Sequence, residues 1–183
     1  AVHNKEGALA LQKQGFSRVV VARELTLNEI KEIAAIPGLE TEAFVHGALC
    51  YSYSGVCLFS SLETGRSANR GKSLYPCRSN FKGEAGEKHY FSMKDMALQE
   101  DILKRPVTSL KIEGRKKTAL YVAAVTDYYR RILDGKGADE NRAEHIKQIF
   151  SRPWCKFHFR GKDKGVIERE FVGHRGLLIG KVE

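Results

Sequence analysis

The chain has 183 residues, of which 42% are hydrophobic, 29% are charged and 9% are aromatic, a composition that excludes a disordered or fibrous protein. No apolar run is long enough to cross a membrane and no secretory signal pattern opens the sequence, so we expect a cytoplasmic protein. The formal net charge of +9 favours polyanionic partners such as nucleic acids, although a basic protein without that role would have the same charge.

Helix and strand patterns alternate in the first part of the chain. Residues 4–15 predict a helix ended by glycine, and residues 18–22 form a continuous apolar run typical of a buried strand. Thr26-Leu-Asn-Glu29 is a capping box, which predicts a second helix over 27–35. Residues 40–46 form the next predicted strand. This order is typical of a parallel α/β fold.

The same order resumes after a loop that contains cysteines. A short strand is predicted over 89–91, a helix that begins at Ser92 and continues toward residue 105, a strand over 109–112 and a long helix over 116–133. The long helix carries an apolar stripe, formed by Tyr121, Val125, Tyr128 and Ile132. Four strands that alternate with helices predict either half of an eight-stranded α/β barrel or a small open sheet.

The composition changes after Gly135, and this predicts two units, residues 1–135 and residues 136–183. The second unit begins with a polar segment and a short helical stretch that reaches Phe150. Its last part, residues 172–182, is typical of strand sequence. We therefore expect an α/β unit followed by a linker helix and β-rich sequence.

Three of the four cysteines, Cys50, Cys57 and Cys77, lie within 28 residues, directly after the strand predicted over 40–46. Loops after barrel strands bind ligands, and clustered thiolates can hold a metal or an iron–sulfur cluster. The spacing is not the tight pair of a zinc ribbon, but it permits a cluster with Cys155 as the remaining cysteine. Without signs of export we expect reduced thiols, and spacing alone favours buried cysteines that act as small apolar residues.

Polar side chains at the strand ends are candidates for chemistry. Strand alternation predicts that Glu42, Phe44 and His46 share one face, which would suit proton transfer or substrate binding. The alternative, to which we give equal weight, is that Glu42 and His46 are buried residues whose polar atoms are satisfied by hydrogen bonds. In Lys111-Ile-Glu113-Gly-Arg115, the arginine at the end of a strand is a candidate anion clamp, or else a member of a surface ion pair. Arg23 follows an earlier strand with the same two interpretations.

A basic segment follows the first two cysteines. Between residues 65 and 82 there are five cations and no acidic residue. These cations are Arg66, Arg70, Lys72, Arg78 and Lys82. Such a segment is a candidate for contacts with phosphate or with another anion.

Residues 42–60 resemble the signature of the collagenase-like peptidases, a family whose catalytic type is unknown and which is therefore classed among the U families of peptidases. Residues 64–71, 75–78 and 109–115 resemble further motifs of that family in the same order. The resemblance implies that this chain is the C-terminal half of a TIM-type (β/α)8 barrel, without its N-terminal half. It also implies that a small β-rich domain begins near residues 173–181, and that the fragment is inactive alone.

The family resemblance also implies a function. Some members are reported as proteases, whereas others resemble iron–sulfur proteins that hydroxylate a quinone precursor or RNA bases, on tRNA with prephenate as co-substrate or on ribosomal RNA. The implied cofactor is a 4Fe-4S cluster on Cys50, Cys57 and Cys77, with Cys155 as the candidate fourth ligand. Many relatives have a cysteine at the position of Ser73 and some at that of Val122, which leaves the fourth ligand open.

The hypotheses assign the candidate residues as follows. In an RNA hydroxylase, proton transfer falls to His46, Glu42 and Glu113, while anionic co-substrate or RNA phosphate would contact Arg115, Lys111, Arg66, Arg70 and Arg78. In a protease, which ranks second, a cysteine would pair with His46 or a zinc would bind the thiols. A third hypothesis is a non-enzymatic scaffold that binds RNA through the C-terminal unit.

Overall fold

This computed structural model describes residues 1–104, 106–174 and 176, which form a mixed α/β protein. In chain order they are α1 Lys5–Lys13, β1 Arg18–Val20, α2 Leu27–Ala34, β2 Glu40–Ala48, α3 Phe59–Thr64, β3 Phe81–Gly83, β4 Gly86–Lys88, β5 Asp95–Ala97, β6 Ser109–Ile112, α4 Ala119–Leu133, α5 Glu140–Ile149 and β7 Trp154–Cys155. Short 3-10 helices cover Ala68–Arg70, Pro76–Arg78 and Gln99–Lys104. The predicted α/β class is confirmed. No helix among the described residues is long and apolar enough to span a membrane.

Side-chain caps set the helix starts. The Asn4 side chain accepts the Gly7 N–H at 2.7 Å in front of α1. The capping box predicted at Thr26 and Glu29 is present in front of α2. The helix α4 begins later than residue 116, because Lys116 has a left-handed φ of 61° and Thr118 is the cap.

Parallel strand positions follow one another in chain order through the centre of the fold. Val2 forms a parallel bridge with Val21, β1 pairs with β2, and β2 pairs with β6. The helices α1 and α2 connect the first three positions, and α4 follows the fourth. This is the βα order that the sequence predicts, with a strand position at Val2 in place of the one predicted at 89–91.

The region between β2 and β6 differs from the prediction. Residues 89–91 form no strand and instead follow the hairpin of β3 and β4. The helix predicted from Ser92 is wrong, because β5 lies there, buried and antiparallel to the end of β2. The polar residues that imitate a helix cap serve tertiary contacts: Ser92 accepts from Arg78, and Asp95 pairs with Arg152.

The strand β2 contains a bulge at Val45. Its pairing with β6 moves from Phe44–Lys111 to His46–Ile112, so Val45 has no partner in β6. The Val45 carbonyl instead accepts the Leu98 N–H and the Tyr129 hydroxyl, both at 3.1 Å. A bulge breaks the alternation of side chains along a strand.

The bulge changes the face on which His46 lies. Glu42 and Phe44 share a face with Lys111, whose Nζ lies 3.0 Å from the Glu42 carboxylate and 5.3 Å from the Phe44 ring. His46 is buried with Val45 and contacts the rings of Tyr121 and Tyr129 of α4. The predicted common face of Glu42, Phe44 and His46 is therefore wrong for His46.

Two hydrophobic clusters form the core. The smaller one joins Val2, α1, β1 and α2, and the larger one joins the second half of β2 with β5, α4 and α5. The predicted stripe of α4 is buried in the larger cluster, which also includes Ala143, Ile146, Phe157 and Phe159. The described part of residues 136–183 thus shares a core with the first unit, while the division at residue 135 stays a prediction. Most of the strand predicted over 172–182 lies outside the described residues.

The variant Tyr129→Phe tests how much the hydrogen bonds at the bulge stabilise the fold. The Tyr129 hydroxyl contacts the Val45 carbonyl, the Gln99 N–H and His46 Nδ1, all in the interior. We expect its loss to lower the free energy of unfolding by about 1–3 kcal/mol, because buried polar groups lose their partner. Urea denaturation measures the change.

Tyr128→Phe is the matched control for Tyr129→Phe. The Tyr128 hydroxyl of the wild type accepts a hydrogen bond from the Gln99 side chain at 3.3 Å, and Val45 is bonded by Tyr129 instead. We expect a loss of less than about 1 kcal/mol. Equal losses in the two variants would contradict a special role for the Val45 carbonyl.

Candidate functional site

A cavity of about 520 Å³ opens at the carboxyl ends of the parallel strands. Arg23 follows β1, residues 48–52 end and follow β2, and residues 113–117 follow β6. The remaining wall comes mainly from residues 57–78. Because the carboxyl ends of parallel strands meet at one edge, segments that are far apart in the chain converge there.

Three thiols line this cavity, those of Cys50, Cys57 and Cys77. All are free cysteines. Burial raises the pKa of the Cys77 thiol, and the nearby Cys50 and Cys57 raise it further. Within the described ranges, no three His, Cys, Asp or Glu side chains are arranged as ligands of a single metal ion. The thiols are therefore neighbours around one space rather than a closed one-metal site.

Cys57 is held at the cavity wall by its loop. Its N–H donates to the Asn69 side chain at 3.0 Å, and the Asn69 amide donates to the Cys57 carbonyl at 3.2 Å. Burial acts to raise the pKa of the Cys57 thiol, but hydrogen bonds from the Ser52 hydroxyl and the backbone of Ser60 and Phe59 outweigh it and lower the pKa. This environment favours the thiolate, the form that ligates metals.

Cys155 lies elsewhere. It is in β7, opposite Met96 of β5, and packs against the larger hydrophobic cluster. Burial raises the pKa of its thiol. Cys155 is not part of the cavity lining. The structure therefore brings together three of the four predicted ligands and leaves Cys155 apart.

Positive charge dominates the cavity wall. Glu113 is the carboxylate in the lining, whereas six cations line the space. The cations are Arg23, Arg78, Arg115, Lys116, Lys117 and Arg152. A concave wall of one sign focuses the field and attracts ions of the opposite sign. The cavity is suited to an anion beside the thiols.

Two guanidinium groups lie deep at this wall. Arg78 donates to the Ser92 hydroxyl at 2.7 Å and to the Met93 carbonyl at 2.6 Å. Burial lowers the pKa of Arg78 to about 10, and the neighbouring Arg152 lowers it further. Arg152 lies 3.1 Å from the Asp95 carboxylate, while its buried Nε has no hydrogen-bond acceptor among the described residues. Positive charge therefore exceeds negative charge here.

Arg115 connects the end of β6 to the basic loop. Its guanidinium donates to the Gly71 carbonyl at 3.3 Å, and its N–H donates to the Glu113 carboxylate at 3.1 Å. A Cβ at Gly71 would lie 2.8 Å from Arg115 Nη2, and Gly71 has a left-handed φ of 73°, so glycine favours both this contact and the backbone conformation of the loop. The strand-end arginine predicted as an anion clamp thus lies in the cavity wall.

Gly47 allows Glu113 to approach β2. Gly47 has φ +113°, and a Cβ there would lie 2.7 Å from the Glu113 carbonyl oxygen. The Glu113 N–H donates to the His46 carbonyl at 2.8 Å. The end of β6 therefore packs directly on the β2 backbone, which positions Glu113 in the cavity lining.

His46 is part of the core instead of the cavity. Because the Tyr129 hydroxyl donates to Val45, the hydrogen bond of 3.1 Å between His46 Nδ1 and Tyr129 assigns the proton to Nδ1. Burial lowers the pKa of His46 to about 3, and Lys117 adds to this effect. This arrangement is the alternative of a buried histidine satisfied by hydrogen bonds.

The predicted site residues therefore fall into two groups. Cavity-lining residues are Cys50, Cys57, Cys77, Arg78, Glu113 and Arg115, and those outside the lining are Glu42, His46, Arg66, Arg70, Lys111 and Cys155. Sequence reasoning missed Lys117 and Arg152. Lys117 follows Arg115 closely and could have been found from that proximity, whereas nothing local in the sequence marks Arg152.

A parallel α/β arrangement places a basic, thiol-lined cavity at the strand ends of this protein, and such a cavity is suited to an anion. The model of peptidase family U32 matches residues 1–168, and the chain belongs to this family. The suspected resemblance to the collagenase-like peptidases is thereby confirmed.

Curated relatives carry different names. The chain is 42% identical over 204 aligned residues to the 23S rRNA 5-hydroxycytidine C2501 synthase of Escherichia coli K12, covering 99% of this chain and 31% of that protein. It is 38% identical to tRNA hydroxylation protein P1 of Bacillus subtilis 168, over 89% of this chain and 44% of that protein. A collagenase of Porphyromonas gingivalis W83 is 29% identical, over 80% of this chain and 43% of that protein. The chain spans less than half the length of these relatives. No solved structure gave a significant match.

The buried His46 predicts a pH dependence of stability. Its pKa is about 3 in the fold and about 6.5 in an unfolded chain, so the unfolded state binds more protons between these values. Stability is therefore lost as the pH falls below about 6.5. As the pH falls from 6.5, we expect the free energy of unfolding of the wild type to decrease more steeply than that of His46→Gln. The difference between the two slopes should be up to about 1.4 kcal/mol per pH unit.

Urea denaturation at pH 7, 6 and 5 measures the two slopes. His145→Gln removes an exposed imidazole from α5 and is the control for loss of a histidine as such. If wild type and His46→Gln have parallel pH dependence, burial of a neutral His46 is contradicted.

Gly47→Ala tests the packing between β2 and the end of β6. The added methyl group meets backbone atoms and requires a left-handed conformation, so we expect a loss of stability of about 3 kcal/mol or more. Gly86→Ala, with φ +85° and no atom within 4 Å of the added Cβ, isolates the conformational cost of about 1–2 kcal/mol. Equal losses in denaturation experiments would exclude the close contact as the cause.

Proposed function

We propose that this chain is the cavity-bearing part of an iron–sulfur enzyme that hydroxylates a base of ribosomal or transfer RNA. The observation that carries the proposal is the convergence of three free thiols and a cationic wall at the strand ends. Two relatives with 42% and 38% identity are named for RNA hydroxylation, one on 23S rRNA and one on tRNA. The RNA substrate is anionic, in keeping with the net charge of +9.

A 4Fe-4S cluster is the proposed cofactor, with Cys50, Cys57 and Cys77 as its ligands. In such a cluster each iron takes its own protein ligand, so the thiols surround the cluster instead of converging on one atom. Three thiols around one cavity fit this requirement, and the hydrogen bonds that favour the Cys57 thiolate support it. When bound, the cluster would supply redox chemistry, and the cations would offset the charge of the thiolates.

The basic wall would bind the anionic partners. Arg115 and Arg78, with the neighbouring Lys117, are suited to a small anionic co-substrate of the prephenate type. Arg66 and Arg70 are exposed on the adjoining loop and are suited to RNA phosphates.

Aromatic side chains at the cavity would bind the base. Tyr51 and Tyr75 line the cavity and are about half exposed, at 48% and 51%. A half-exposed ring beside cations is typical of surfaces on which an unpaired base stacks. Glu113 lines the same space and is the candidate for proton transfer there.

The finer architecture is part of the proposal. The parallel positions at Val2, β1, β2 and β6 would form one half of an eight-stranded barrel. The other half would come from the longer protein, since relatives exceed this chain in length. We expect activity from the complete protein, acting in the cytoplasm, and not from this part alone.

A peptidase is the second candidate, because the family name and a collagenase relative with 29% identity favour it. A cysteine protease needs an imidazole within hydrogen-bond distance of the nucleophile. His46, the histidine predicted for this role, is bonded to Tyr129 in the core, whereas the cysteines line the cavity. The position of His46 therefore disfavours a cysteine protease built on this histidine.

The complete protein tests the proposal. Anaerobic purification should give a coloured sample with about four irons per chain, and Cys57→Ser should lose the iron. Mass spectrometry of cellular RNA should show one hydroxylated base that disappears on gene deletion and returns with wild type. We expect Arg115→Ala to restore less than a tenth of that base, since an anion contact is worth about 1.5–3 kcal/mol.

Arg18→Ala is the matched control, because this arginine pairs with Glu40 at the opposite end of the strands and should leave the modification intact. An iron-free protein that restores the base would contradict the cofactor. An unchanged RNA profile together with loss of peptide cleavage would favour the peptidase, and RNA binding without either activity would favour a scaffold.

A further inference from the structure

Two aromatic rings are stacked outside the cavity, where the N-terminal segment meets the loop between Cys50 and Cys57. The ring centroids of His3 and Tyr53 are 4.1 Å apart, and the ring planes are 13° from parallel. Neither residue is part of the cavity lining. Tyr53 is 56% exposed although His3 covers one face of its ring, so much of the other face is open to solvent.

Hydrogen bonds hold this ring pair in place. The Ser54 N–H and hydroxyl both donate to the Glu24 carboxylate, at 2.7 Å and 2.8 Å. His3 Nε2 donates to the Ser54 carbonyl at 3.2 Å, since a carbonyl only accepts. The Val56 N–H donates to the Tyr53 carbonyl at 3.0 Å and closes the turn. The exposed ring of Tyr53 is therefore positioned before any ligand binds, which lowers the entropy cost of stacking a further ring on it.

The loop that carries Tyr53 is joined to a basic segment. The Asn69 side chain is hydrogen-bonded to both the N–H and the carbonyl of Cys57, and Asn69 belongs to the 3-10 helix Ala68–Arg70. Arg66 and Arg70 are both exposed on this segment. An open aromatic face on a loop tied to exposed guanidinium groups is suited to an unpaired nucleotide, with the base on the ring and the phosphate on a cation.

We infer that Tyr53, stacked on His3, binds an unpaired RNA base that flanks the base to be modified; the inference rests on the proposed function. Tyr51, which lines the cavity, precedes Tyr53 by two residues, so at most about 7 Å separates their Cα atoms. Successive nucleotides of a stacked strand are about 3.4 Å apart. One strand therefore reaches from the cavity to Tyr53 within a few nucleotides, and the RNA segment that binds here is single-stranded.

RNA binding by the complete protein tests the role of the ring pair. The probes are a short single-stranded RNA and the duplex of the same sequence, each labelled for fluorescence anisotropy. We expect Tyr53→Ala to weaken binding of the single strand by at least about fivefold, because a base loses its stacking partner. Tyr53→Phe retains the ring and should bind within about twofold of the wild type. Affinity for the duplex should be unchanged, since its bases are already stacked.

Two further variants separate the ring from other effects. Phe16→Ala removes a ring that is 52% exposed and precedes β1 at the opposite end of the strands, so it should leave RNA binding unchanged. Arg70→Ala should reduce the magnitude of the slope of log Kd against log salt concentration by about 0.7, because a phosphate contact is lost. Tyr53→Ala should leave that slope unchanged, since stacking releases no counterion.

Single-strand affinity of Tyr53→Ala equal to that of the wild type, or an equal loss for the single strand and the duplex, would overturn the inference. If thermal unfolding shows that Tyr53→Ala does not fold, Tyr53→Leu takes its place, because leucine keeps an apolar side chain without a stacking face. A wild type that binds neither probe would instead contradict RNA as the substrate and refute the proposed function itself.

Discussion

The hydrogen bonds to the Val45 carbonyl are the constraint on which much of this structure depends. The bulge turns that carbonyl away from β6 toward Leu98 and the Tyr129 hydroxyl, so one peptide group joins β2 to the segment after β5 and to α4. The strand β5 pairs with the end of β2 on one side and with β7 on the other. Arg152 directly precedes β7 and thereby reaches the cavity wall. A local irregularity in one strand thus connects the core to the charge of the site.

Local features of the fold were predictable from the sequence, whereas pairing between distant segments was not. The caps at Asn4 and Thr26 and the stripe of α4 depend on neighbouring residues, and they were found. The bulge was not visible, because Glu42, Phe44 and His46 alternate as in a regular strand. The Ser92 to Asp95 pattern has the polarity of a helix cap, and only its partners Arg78 and Arg152 explain it.

The site shows the same division between local and distant information. The residues that directly follow strands, including Cys50, Glu113 and Arg115, lie in the cavity, because topology brings strand ends together. Arg152 reaches the wall through β7, which no spacing in the sequence indicates. His46 and Cys155 have the chemistry of functional residues. However, His46 is buried among aromatic rings in the core, and Cys155 lies in a paired strand, so both belong to the packing of the fold.

The contact between Arg115 and Gly71 also limits how sequences of this kind can diverge. These residues are 44 positions apart, and the guanidinium occupies the space where any side chain at position 71 would begin. A larger residue at 71 would displace the end of the Arg115 side chain and would also have to adopt the left-handed φ of 73°. Gly71 therefore serves two needs at once, since it provides a backbone conformation that L side chains rarely adopt and leaves room for the guanidinium of a residue far along the chain.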